Sequence, residues 1–215
     1  MENKNANAPK NVMEEQATRD NAIAKVNKKV IIGCVVAIVA ILAGAGIWYW
    51  VHSSNVERDT ELIGNADMEP NDSIRQVLYK QVADAGTNAP NERAKLMVAI
   101  KYYDEAKYQD ALNYLNQVSV NSEVVSVGVE SLKGDCYANL GKLDEALAAF
   151  GTALDKADGN PQLVPFILLK EANIYRAQKK YDKELECYST IRTDYPAFLP
   201  DVDKYYERAK AAAGK

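Results

Sequence analysis

The sequence has very few of the side chains on which catalytic and metal sites usually depend. Among 215 residues there is one histidine, His52, and there are three cysteines, Cys34, Cys136 and Cys187. The histidine has no Cys or His partner at metal-ligand spacing, and no serine-centred elbow or paired Cys–His arrangement is present. Glycine-rich phosphate-binding loops are missing as well. We therefore expect a protein that is not an enzyme and that has no cofactor, no metal site and no small-molecule substrate.

The larger part of the chain also lacks the excess of basic residues that nucleic-acid binding requires. Residues 1–29 hold six Lys or Arg and four Asp or Glu, whereas residues 52–215 hold 20 basic and 26 acidic residues. Phosphate binding needs a basic face, so we expect no nucleic acid partner. Residues 1–29 have no sustained apolar period, which predicts a mostly disordered cytoplasmic tail.

One long apolar run is present, and it predicts a transmembrane helix. Residues 30–51 contain no charged side chain, and as a helix they would span about 33 Å, against a hydrocarbon core of about 30 Å. A cleaved signal peptide is a first alternative, but the run is long and ends in Trp48, Tyr49 and Trp50, a poor cleavage site. A lipoprotein signal at Cys34 is a second alternative, but most of the apolar stretch follows the cysteine instead of preceding it. We predict that the run lies in the lipid bilayer.

The charges beside the run predict its orientation. Lys25, Lys28 and Lys29 come directly before it, and acidic residues such as Glu57 follow it. The positive-inside rule then places the N-terminus in the cytoplasm and residues 52–215 outside. In a bacterium this is a single-pass inner-membrane protein with a periplasmic C-terminal domain.

Small residues recur along one face of the predicted span. Their spacings of four, three and four suit close packing against another membrane helix. Because Gly and Ala are common in membrane helices, a face without a partner is the alternative. The residues of this face are Gly33, Ala37, Ala40 and Gly44.

Three segments after the run align with one another, which indicates an internal repeat. They begin near Glu92, Val127 and Pro165, at offsets of 35 and 38 residues. Each segment has a small residue followed three positions later by tyrosine. These pairs are Ala99 and Tyr102, Gly134 and Tyr137, and Ala172 and Tyr175. Such a pattern predicts paired antiparallel helices that must stack on their neighbours to bury their apolar faces.

The pattern resembles the tetratricopeptide repeat, most closely over residues 134–150. It departs from that family at the tryptophan position, which holds Lys95, Glu130 and Leu168, and at Glu184, where alanine is usual. The resemblance implies an all-α fold, with one N-terminal transmembrane helix followed by an α-solenoid of tetratricopeptide repeats. The repeats lie near residues 92–125, 127–160 and 165–198.

The segments beside the repeats complete the predicted domain, 72–215. Residues 52–71 have little periodicity, and we interpret them as a linker or as a frayed extension of the membrane helix. Residues 72–85 predict an amphipathic helix, and residues 200–212 predict a last helix that caps the array. The residues near the inward face of the first of these helices are Ile74, Val77, Leu78, Gln81 and Val82.

Two of the cysteines, Cys136 and Cys187, lie in the repeats. In an oxidising compartment they could pair, but the repeat pattern does not place their helices side by side. We expect both to be unpaired, buried, small apolar residues.

The resemblance also implies a binding site for a peptide or protein, because members of the family often hold peptides along the first helices of successive repeats. An ordinary solvent-exposed helix face is the alternative for these positions. Apolar Leu96 and Ile100 stand where a clamp for a C-terminal carboxylate needs Lys and Asn, so that mode of recognition is not expected. The positions carried over are Leu96, Ile100, Tyr103, Ser131, Asp135, Asn139, Phe166, Leu169, Asn173 and Arg176.

A short tail, one membrane span and an exterior repeat domain together resemble the ancillary subunit of the Sec translocon, whose repeat domain is shared with cell-division coordinator proteins. This resemblance implies a membrane-tethered protein-interaction module that assists secretion, chaperone handover or envelope protein assembly. Its partners would be the translocon, periplasmic chaperones or secreted clients. The alternative is a scaffold subunit of a larger secretion, motility or division complex, which binds one fixed partner.

Overall fold

The computed structural model describes residues 28–198 and 201–215, and the regular elements in these ranges are nine α-helices without a strand. The all-α solenoid that the repeats predict is confirmed. The predicted tail, residues 1–29, lies outside the described residues as far as residue 27. The helices are α1 (Lys28–Met68), α2 (Asp72–Ala83), α3 (Ala89–Asp104), α4 (Tyr108–Leu115), α5 (Glu123–Asn139), α6 (Leu143–Ala157), α7 (Val164–Ala177), α8 (Tyr181–Asp194) and α9 (Val202–Ala212).

Helix α1 is continuous through two compact units that divide between Asn55 and Val56. In the first unit, every side chain from Val30 to Ser54 is exposed. By length and composition the helix can cross a membrane, with a mean hydropathy of 2.9 in its most apolar part. A Cβ at Gly33 or Gly44 would meet nothing within 4 Å, so the predicted packing face has no neighbour among the described residues.

The second unit begins on α1, which corrects the linker interpretation of residues 52–71. The helix continues to Met68, and only three residues separate it from α2. It stays helical because Asp59, Ile63 and Ala66, at spacings of four and three, bury one face of it in the second unit. The frayed-extension alternative was nearer to the structure, but this segment is packed.

The face that helix α2 turns inward overlaps the predicted one in part: it shares Leu78 and Val82 with the predicted set and is otherwise shifted. Ile74 and Val77 are half or more exposed, whereas Tyr79, Val82 and Ala83 are buried. The reason is that α2 packs against the end of α1 as well as against α3, and the sequence pattern did not indicate that the end of α1 would be there.

The repeats form the three predicted helical pairs, α3 with α4, α5 with α6, and α7 with α8, and α9 packs on α8. Helix α9 corresponds to the predicted cap over residues 200–212, of which residue 200 lies outside the described part. In the middle pair the helices approach closely, since a Cβ at Gly134 would lie 2.3 Å from the ring of Phe150. Cys136 and Cys187 are unpaired and buried, as predicted.

The turn within each pair is the same Schellman-type helix end. Its left-handed residues are Ala106, Gly141 and Lys179, with φ of 56°, 74° and 58°. The next backbone N–H then donates to the carbonyl of the repeat tyrosine five residues back, at 2.8–2.9 Å. The recurring tyrosine therefore marks the last turn of each first helix.

Candidate protein-binding surface

The first helices of the three repeats, α3, α5 and α7, contact one another through polar side chains. Asn139 of α5 donates its amide to the hydroxyl of Tyr103 on α3, at 3.5 Å. Lys170 of α7 forms an ion pair with Asp135 of α5. These contacts bring predicted site residues of different repeats together on one surface, which we name the inner surface. It consists of the ten carried-over positions and Lys170.

None of the ten predicted positions is buried. Five of them are exposed: Ile100, Asn139, Phe166, Asn173 and Arg176. The other five are partly exposed: Leu96, Tyr103, Ser131, Asp135 and Leu169. All ten side chains can therefore contact a partner, and whether they do so stays a prediction.

Lys170 belongs to the inner surface but is missing from the predicted set. Its ammonium lies 5.9 Å from the ring centre of Phe150 in addition to its contact with Asp135. The position-by-position transfer from the family did not include it. Asp135 and Lys170 have opposite charges and are 35 residues apart, whereas the second and third repeats are offset by 38 residues. Lys170 is therefore not at the position equivalent to Asp135, and the repeat offset alone does not indicate this pair.

The chemistry of the inner surface is that of hydrogen bonding with a few apolar contacts. Asn173 accepts a hydrogen bond from Arg176 at 2.9 Å, and both side chains are exposed on α7. Burial raises the pKa of Tyr103, and the negative charge of Asp135 adds to this effect. The hydroxyl therefore stays protonated and can donate a hydrogen bond. Amide, hydroxyl and guanidinium groups of this kind can bind the backbone of a polypeptide.

Two large cavities lie at equivalent ends of the first and third repeats. A cavity of about 610 Å³ includes Leu96 and the connection between α4 and α5. Another, of about 630 Å³, includes Phe166 and the segment after α8. Each adjoins the N-terminal half of a first helix, so each continues the inner surface at that edge.

One carboxyl group in the third repeat has an unusual environment. Glu171 lies on α7 in a small cavity of about 160 Å³ that Cys187 and Lys183 of α8 also line. Burial raises the pKa of Glu171 to about 7. Burial also raises the pKa of the Cys187 thiol to about 12 and of the Cys136 thiol to about 11, which makes both poor nucleophiles at neutral pH.

Comparison with known proteins supports the repeat assignment. Residues 72–175 match the family profile of the tetratricopeptide repeat-like domain. The crystal structure of MamA is similar to this chain with a TM-score of 0.50 and 18% sequence identity, over 65% of this chain and 87% of that one. No curated protein sequence matches the chain. The chain therefore carries a tetratricopeptide repeat-like domain, a protein-interaction fold, and the likeness to MamA concerns the fold alone.

Proposed function

We propose that the chain is a single-pass membrane protein whose repeat domain binds other proteins on the periplasmic side of a bacterial inner membrane. The inner surface supports protein binding, because the first helices of the three repeats present ten accessible side chains there. The membrane assignment rests on residues 30–51, which are uncharged, helical and exposed along their whole length. The domain that follows has more acidic than basic residues, which does not suit nucleic acid.

In this proposal the protein assists secretion, chaperone handover or envelope protein assembly near the translocon. The support is the order of parts: one apolar helix is followed by a repeat domain, which resembles the ancillary translocon subunit. A scaffold that holds one folded subunit of a larger membrane complex is the second candidate. The packing of residues 56–68 on α2 and α3 supports this candidate, because a scaffold needs an ordered binding domain.

The orientation can be tested with single cysteines and a membrane-impermeant maleimide. In a Cys34→Ala background, where the two remaining native thiols are buried, Ser53→Cys should be labelled in intact spheroplasts. Thr18→Cys should be labelled only after lysis. The background without an added cysteine is the control. Labelling of Thr18→Cys in intact spheroplasts would reverse the proposed topology.

Protein binding can be tested by photocrosslinking in cells, with a photoreactive amino acid at Tyr103 or Asn173 of the inner surface. The same amino acid at Thr152, an exposed residue of the second helix α6, is the matched control. Many crosslinked envelope proteins would support the translocon role, and one discrete product would support the scaffold. Crosslinking no stronger than that at Thr152 would contradict protein binding at this surface.

We also propose that the small-residue face of the span, Gly33, Ala37, Ala40 and Gly44, docks on another membrane helix. Replacing Ala40 and Gly44 with leucine should then reduce the partners that copurify in mild detergent. Leucine at Ile38 and Val39 is the matched control, since neither position belongs to that face. An unchanged set of partners would contradict the docking.

A further inference from the structure

The cavity of the third repeat is formed by aromatic and proline side chains at the start of α7 and after α8. Phe166 and Phe198 make an edge-to-face contact there, with ring centres 4.5 Å apart. Pro161 and Pro196 lie beside them, and the volume is about 630 Å³. This volume is in the range of pockets that hold organic ligands, and is more than one side chain fills.

Phe166 is unusually exposed for a phenylalanine. Its exposed fraction is 57%, whereas Phe150 in the core of the repeats is 1% exposed. Two of the three phenylalanines of the chain thus lie in this cavity. Leaving an aromatic ring in water forgoes the stabilisation that burial would give, and a partner that covers it recovers that stabilisation. Because prolines restrict the backbone beside the rings, little ordering is needed on binding.

Among the described residues that line the cavity, one side chain is charged, the carboxylate of Asp194. Asp194 accepts a hydrogen bond from the Thr193 hydroxyl at 2.9 Å, and no cation pairs with it among the described residues. The charge of the whole domain has the same sign, since residues 52–215 hold 26 acidic and 20 basic residues. An occupant with a positive charge next to an apolar group is complementary to both features.

We propose that this cavity binds a short apolar segment of a partner polypeptide that also carries a lysine or arginine. An aromatic or aliphatic side chain of the partner inserts beside Phe166 and Phe198. The neighbouring basic side chain pairs with Asp194. The proposal rests on the protein-binding function proposed above and adds to it the chemistry of the partner and a second contact at the edge of the inner surface.

The test uses the full chain in lipid nanodiscs and three fluorescein-labelled ten-residue peptides. The first contains two phenylalanines and two lysines among glycine and serine, the second has glutamate for lysine, and the third has serine for phenylalanine. Fluorescence anisotropy should show binding of the first peptide, with affinity lower by about tenfold or more for the other two. Equal binding of the glutamate peptide would overturn the assignment of a basic partner. Equal binding of the serine peptide would overturn the assignment of an apolar one.

Variants of the protein locate the binding. Phe166→Ser and Asp194→Asn should each lower the affinity for the first peptide by about tenfold. Val124→Ser and Asp155→Asn are matched controls, because both residues are exposed and neither lies in the cavity. Circular dichroism checks that each variant is folded, and Asp194→Asn keeps the shape of the side chain.

The two proposals can fail separately. If Phe166→Ser and Asp194→Asn bind the peptide as well as the unchanged protein does, the cavity proposal is overturned, and so it is if no peptide binds. Crosslinking at Tyr103 and Asn173 would in either case still decide protein binding by the inner surface. Loss of that crosslinking, with peptide binding at the cavity retained, would instead overturn the inner surface as the main site.

Discussion

The middle repeat and the two outer repeats differ in what they bury. In the middle repeat α5 crosses α6 at Gly134, directly against the ring of Phe150, and the contact is apolar. The outer repeats bury charged side chains. Glu92 and Lys95 of the first repeat form an ion pair at 2.8 Å, and Glu184 of the third is 1% exposed.

These buried charges lie where an outer repeat contacts chain that does not follow the repeat pattern. Glu92 accepts a hydrogen bond from the backbone of Ser119, in the connection after α4. Glu184 accepts one from Arg208 of α9. At the N-terminal end, Asp59 of α1 is 2% exposed and accepts from Asn91 of α3. Apolar size matching therefore joins the two helices of a repeat, whereas specific polar pairs hold the outer repeats to the chain that does not follow the repeat pattern.

The apolar side of this comparison predicts the largest effect, for Gly134→Ala. The new Cβ would lie within 3 Å of three ring atoms of Phe150, which is buried. We expect destabilisation of about 3 kcal/mol, near the upper end for overpacking, although alanine favours the helix. Hydrogen exchange measured on peptides from α5 and α6 should show the loss.

A double variant tests whether the clash between the new Cβ and the ring of Phe150 causes the destabilisation. Gly134→Ala with Phe150→Leu recreates the pair Ala99 and Leu115 that the first repeat already has. The double variant should recover a large part of the protection against hydrogen exchange in α5 and α6. If the single variant exchanges like the unchanged protein, the close crossing at Gly134 is not a determinant of stability.

The spacing of small and large residues made this crossing and the three helical pairs predictable from the sequence. The continuation of α1 to Met68 was not predictable in the same way. Its buried face contains Asp59, which a hydrophobic pattern treats as an exposed position. The partner of Asp59, Asn91, reaches it from 32 residues away. Periodicity cannot show such a polar pair, because the pairing is decided by tertiary contact.

The N-terminal polar contact predicts the next effect, for Asp59→Ala. The carboxylate accepts hydrogen bonds from the side-chain amides of Asn91 at 2.9 Å and Asn88 at 3.1 Å. Burial raises the pKa of Asp59, but these bonds and those from Arg58 outweigh it, so that the pKa lies below its ordinary value. Alanine would leave buried donors without a partner, and we expect a cost of about 2 kcal/mol.

The loss should appear as faster hydrogen exchange in residues 56–68 and at the start of α3, with little change in α7 to α9. Asp59→Asn is the matched control, since it keeps one acceptor oxygen and nearly the same volume. It should cost less than Asp59→Ala. Equal exchange in all three proteins would show that the end of α1 is held by Ile63 and Ala66 alone.

The C-terminal polar contact predicts an unequal effect of its two partners. Arg208→Ala would leave Glu184 as a buried carboxylate without a cation, and we expect a cost of about 2 kcal/mol. Glu184→Ala instead removes the buried charge, leaves Arg208 able to reach water because it is 47% exposed, and restores the residue usual at that position. It should cost less, under about 1 kcal/mol. Hydrogen exchange in α8 and α9 measures both costs. A larger cost for Glu184→Ala than for Arg208→Ala would contradict the role of this ion pair in holding α9 on α8.

The candidate site was predictable to a similar extent as the fold. Equivalent positions on the first helices follow from the repeat offset, and the structure places all ten at accessible positions. Lys170 and the pair of Phe166 with Phe198 were not predicted. Phe198 belongs to the segment after α8, whose path depends on how α9 packs, and no pattern within a repeat determines that path.

The smallest expected effect concerns Glu171, a partly buried carboxyl group in an outer repeat to which no cation is paired among the described residues. Below its ordinary pKa of 4.5 the carboxyl is protonated in both the folded and the unfolded protein. Between pH 4.5 and about 7 the unfolded chain releases the proton while the folded protein keeps it, so stability falls as pH rises through this window and is constant above it.

Since the side chain of Glu171 is partly exposed, solvent reduces the effect. We expect Glu171→Gln to gain about 1 kcal/mol of stability at pH 8 and nothing at pH 4. Hydrogen exchange in α7 and α8, corrected for the intrinsic effect of pH, measures the difference, and equal stability of Glu171→Gln and the unchanged protein at pH 8 would show that Glu171 reaches water.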